Sequence, residues 1–164
     1  CLLAVFLHEC AHLAVMWAFH VPPDRVEVSA LGCRVVRQSG WGTTDYQQMI
    51  ISLAGPAINL LCFGMTALAG KNGDFTGVNL ALGIAHSLPI EPLDGGLALR
   101  YFLQSQLEEG TAERVSRIVS LALLLPLSVL GFLVLLNTRY NYSLLALSVY
   151  LMLYMVLGKD YSLP

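Results

Sequence analysis

The sequence predicts an all-α polytopic membrane protein of about five transmembrane segments, with a small β-hairpin between the first two. Three observations carry this. Of the 164 residues, 56% are hydrophobic and only 12% charged, about half the charge of an ordinary soluble domain. Apolar runs near the roughly 20 residues that span a bilayer recur along the chain. Finally, if every run crosses, seven of the nine Lys and Arg residues fall on one side (Arg25, Arg34, Arg37, Arg100, Arg114, Arg117 and Lys159) and only Lys71 and Arg139 on the other. The positive-inside rule then puts the hairpin and the C-terminus in the cytoplasm. A net charge of -2 offers no basic face for nucleic acid. Four cysteines without CxxC spacing indicate neither a disulfide framework nor a cysteine zinc knot.

The first segment is residues 1–21, apolar except for His8, Glu9, His12 and His20. It begins at Cys1 inside an apolar run, so a preceding span or targeting signal is expected to be missing. Residues 24–46 are expected to form the hairpin: Val26 and Val28 alternate with polar neighbours and Leu31-Gly32 supplies a turn. The second segment, 48–70, contains no charge, and the third, 77–93, is short and broken by Pro89 and Pro92. These three segments and the hairpin make a core over 1–100. A polar cytoplasmic connector follows over 101–117, and two further spans fill 118–158, the first despite Pro126.

The chemistry begins at HECAH, His8 to His12. In a helix the two histidines stand one turn apart on one face and can grip one metal ion, with Glu9 beside them to take a proton from water. Each ionisable group in lipid costs about 2.5 kcal/mol or more unless it is paired or functional, which weighs against coincidence. A catalytic zinc takes three protein ligands and keeps one open position. Asp94, in PIEPLDGG (Pro89 to Gly96), is the best third candidate, because prolines break the helix there and two glycines allow close backbone approach. Glu91 and His86 compete, a helix-capping Asp94 and a solvated Glu91 being the plain alternatives.

The combination of HECAH, AGPAIN (Ala54 to Asn59) and PIEPLDGG in successive apolar segments resembles the site-2 protease family of intramembrane zinc metalloproteases, over about residues 1–100. The resemblance implies one zinc per chain held by His8, His12 and Asp94, with Glu9 catalytic and Asn59 assisting at the active site or in substrate binding. The short core resembles the bacterial branch containing the sporulation protease that releases a membrane-held sigma-factor precursor. It implies a membrane-associated protein substrate, the lipid bilayer of a bacterial cytoplasmic membrane, a regulatory or inhibitory membrane protein as partner, and leaves self-association open. Two departures stand out: His86 replaces the asparagine usual before the LDG element, and Glu91 enters its proline-rich approach.

On this reading Val26 and Val28 hold an unwound substrate by strand addition, while Asn59 serves as an oxyanion donor or a helix-helix contact. His86 is a further titratable group near the zinc or a backbone partner. The rival classes are an intramembrane metal transporter, which would need ligands along a path that residues 118–136 do not supply, and an inactive homologue that binds substrate without cutting it.

Overall fold

The computed structural model describes residues 2–21, 25–29, 32–36, 43–138 and 142–157, the strand residues by their backbone alone. The expectation of about five crossing segments with a β-hairpin over 24–46 does not stand. Among the described residues there are six helices: α1 (Leu2–Ala18), α2 (Asp45–Leu68), α3 (Asp74–Ser87), α4 (Asp94–Gln104), α5 (Glu109–Thr138) and α6 (Ser143–Leu157). Only α2 and α5 are long and apolar enough to cross a membrane, while α1 and α6 are apolar but shorter. No hairpin extends over 24–46, since Asp45 and Tyr46 already belong to α2. Among the described residues extended pairing covers five residues each way, Arg25–Ser29 (β1) against Gly32–Val36 (β2), antiparallel. The expected turn at 31 and the side chains of Val26 and Val28 lie outside the described residues.

The chain divides into two compact units, residues 1–88 and 89–164. In the first, α2 packs against both α1 and α3, and α1 also meets α3. Helix α1 ends in a Schellman pair: Val21 N–H donates to Met16 O and His20 N–H to Trp17 O, both at 3.0 Å. His20 therefore takes φ +58°, the left-handed position usually given to glycine. Helix α2 opens with a capping box. Thr44 Oγ1 accepts the Gln47 N–H at 3.3 Å, and the Thr44 N–H donates to Gln47 Oε1 at 3.1 Å, satisfying two amides that a helix start otherwise leaves bare.

In the second unit α5 packs against α4 and α6. The 30 residues of α5 rise about 45 Å, well beyond a hydrocarbon layer of about 30 Å, so the expected polar connector is largely helical already. The turn before Asp94 is anchored on α5. Ser116 Oγ donates to Glu91 Oε1 at 2.6 Å and the Glu91 N–H donates to Ser120 Oγ at 3.0 Å. Both serines are buried, one turn apart. The solvated-loop reading of Glu91 is thereby corrected, and Arg100 lies 3.8 Å from its other oxygen. A Cβ on Gly96 would run into the Ile90 carbonyl and the Glu91 nitrogen. Only glycine lets the first turn of α4 close over this loop.

Candidate metal centre

Helix α1 places His8 and His12 on one face, and α2 supplies what holds their rings. His8, 3% exposed, has Nδ1 2.8 Å from Asn59 Oδ1. His12 Nδ1 lies 2.7 Å from the Ile51 carbonyl oxygen. A carbonyl can only accept, so the His12 proton is on Nδ1; the Asn59 oxygen demands the same of His8. In neutral rings both Nε2 atoms then carry lone pairs, and they face each other at 3.3 Å.

Two lone pairs at that distance repel unless a cation lies between them. Two nitrogens bound to one tetrahedral zinc at about 2.0 to 2.1 Å stand about 3.3 to 3.4 Å apart. The observed spacing, the tautomers and the oxygen acceptors behind the rings all fit a zinc ion. Backbone makes room for it. A Cβ on Gly55 would meet His12 Nε2 and lie 2.6 Å from His8 Nε2, so the glycine keeps α2 from filling the space in front of both nitrogens.

The first unit thus assembles His8, His12, Asn59, Gly55 and His86 around one point. His86, from α3, sets its ring edge-on to His8, with centroids 4.5 Å apart and planes at 68°. Glu9 is half-buried on α1 next to His8. Asp94 is the first residue of α4 in the second unit, directly after a Leu93 N-cap that makes no side-chain bond to the helix. Sequence reasoning missed Asn79, fully buried on α3, whose Oδ1 accepts from Asn59 Nδ2 at 3.1 Å. A polar amide inside the otherwise apolar 77–85 stretch was the signal.

The fold and these histidines define a helical, membrane-compatible protein with a HExxH centre. Along 99% of its length the chain superposes on 77% of a solved structure, the Site-2 Protease from Methanocaldococcus jannaschii, with a TM-score of 0.65 and 18% sequence identity. That likeness shows a shared fold. Neither a protein-family model nor a curated protein sequence matches the chain.

Proposed function

We propose that the chain is an intramembrane zinc metalloprotease, hydrolysing a peptide bond in or near the membrane segment of a membrane-bound protein. The observation that carries this is the pair of Nε2 atoms, 3.3 Å apart, with both Nδ1 atoms turned to oxygen acceptors beside Glu9. The fold likeness agrees with it. His8 and His12 are two ligands, and Asp94, by the order of HECAH, AGPAIN and PIEPLDGG in the chain, is proposed as the third.

Zinc would supply Lewis acidity toward the scissile carbonyl and make an attacking water acidic enough to use near neutral pH. The residues of the chain do the rest. Glu9 takes the proton of that water and returns it to the leaving amine. Asn59 orients His8, so its geometry favours a ligand-holding role over that of an oxyanion donor. His86 remains the candidate to meet substrate. Gly55 keeps the space before the histidines open.

The finer reading takes the substrate as a regulatory protein such as a sigma-factor precursor, cut on the cytoplasmic side of a bacterial membrane, with a membrane-bound inhibitor as regulator. The transporter reading is weaker, because residues 118–136 contain no His, Cys, Asp or Glu to continue a metal path. The test is zinc content of detergent-purified protein, wild type beside Asp94→Ala. About one zinc per chain, lost or much weakened in the variant, supports the three-ligand site. Zinc unaffected by the substitution removes Asp94, and no zinc in the wild type removes the enzyme reading.

A further inference from the structure

We propose that Asn79 is a positioning residue for the metal centre: through Asn59 it fixes the tautomer of His8. The two ends of an asparagine side chain are nearly the same shape, so only hydrogen-bond partners decide which end points where. Starting from a group that cannot change, the Phe75 backbone carbonyl, the direction of every later bond follows.

Phe75 O accepts, so the Asn79 end 2.8 Å away is its Nδ2. Asn79 therefore presents Oδ1 to Asn59, and the Asn59 end 3.1 Å away must be Nδ2, the donor. Asn59 Oδ1 is left facing His8 Nδ1 at 2.8 Å, which places the His8 proton there. The Nε2 lone pair then points at His12 Nε2. Ala4 O also accepts from Asn59 Nδ2, but at 3.5 Å, the limit of a useful bond. Asn79 is thus the stronger of the two locks.

Reversing the Asn59 amide would set its oxygen against two acceptors, Asn79 Oδ1 and Ala4 O. It would also turn an N–H donor toward His8, favouring the tautomer with a proton on Nε2, so that this nitrogen could no longer hold the metal. Both asparagines are 0% exposed, so water does not repair the mismatch. Three bonds in series carry the polarity of one helix carbonyl on α3 to a ring on α1.

The inference rests on the zinc reading, and the experiment separates the two. Zinc affinity is measured by chelator competition on purified full-length chain for wild type, Asn79→Leu, and the double variant Asn59→Asp with Asn79→Leu. Asn79→Leu should weaken zinc by about 10- to 100-fold, as loss of an outer partner of a ligand does. The double variant should recover to within about threefold of wild type, because a carboxylate offers His8 an acceptor from either oxygen and needs no orienting partner. Where Asn79→Leu prevents folding, the same pair is made with Asn79→Ala, which adds no bulk.

Wild-type affinity in Asn79→Leu overturns the inference alone. So does a loss that the double variant fails to restore, because Asn79 would then act only through packing, and so does failure of all four variants to fold. Absence of zinc from the wild type overturns both the inference and the enzyme reading.

Discussion

Substituting Gly55 by alanine adds one methyl group to the structure, and its consequences can be worked from distances. The new Cβ would lie 2.6 Å from His8 Nε2 and 2.7 Å from His8 Cε1, and closer still to His12 Nε2. Ordinary contact begins at 3.4 Å, so the rings or the α2 backbone must retreat by about 0.8 Å or more. Metal ligands tolerate only about 0.2 Å of displacement, so zinc affinity should fall by about 100-fold or more, equivalent to about 2.7 kcal/mol. Folding changes far less. Alanine in a helix gains about 0.5 to 1 kcal/mol over glycine, whereas overpacking costs about 1 to 3 kcal/mol, leaving the metal-free protein near or modestly below wild-type stability. Gly64, on the same helix, is the control. A Cβ there meets nothing within 4 Å, so Gly64→Ala should gain the helix contribution and leave zinc untouched. The assay is chelator competition alongside thermal unfolding of chelator-stripped protein in detergent. Wild-type zinc affinity in Gly55→Ala would refute the placement of the metal before these two nitrogens.

Glu9→Gln should keep zinc while reducing cleavage of a membrane-anchored substrate by about 10²- to 10⁴-fold, the usual range for a general base; retained cleavage would remove Glu9 from that role. Ser116→Ala leaves Glu91 Oε1 without its 2.6 Å donor and should destabilise the second unit by about 1 to 3 kcal/mol, read as a lower melting temperature; an unchanged value would mean that water replaces the serine. His20→Gly relieves a left-handed residue at the end of α1 and should stabilise the protein by about 1 kcal/mol, whereas a loss would show that the His20 side chain makes contacts worth more than the strain.

How much of this was legible in the sequence depends on the range of the interaction. HECAH needs only one helical turn, and hydropathy alone puts that turn in α1, so the pairing of the two histidines on one face could be read directly. The proline and glycine pattern around Asp94 marked a tight loop meeting backbone, which is what Gly96 does over Ile90 and Glu91. The boundaries failed where hydropathy was the only guide. Residues 94–104 have too many polar positions to read as a span, yet they form α4 because their small residues, Gly95, Gly96 and Ala98, bury one face. Charge was likewise a poor guide to Glu91, since its partners Ser116 and Ser120 sit on one helix that the sequence divides between a polar connector and an apolar span.

The asparagines show the limit most clearly. Asn59 is singled out by the resemblance that AGPAIN carries, which leaves its partner open between substrate, the oxyanion and another helix. Its separation from His8 is 51 positions and from Asn79 20 positions, and no local pattern encodes either bond. Once the three side chains are brought together, the chemistry leaves little choice. A carbonyl on α3 can only accept, an amide has one donor end and one acceptor end, and an imidazole that binds metal through Nε2 must hold its proton on Nδ1. The sequence supplies groups of fixed donor and acceptor character, the fold puts them in series, and the direction of the resulting chain leaves the His8 proton on Nδ1, the tautomer that the proposed zinc site requires.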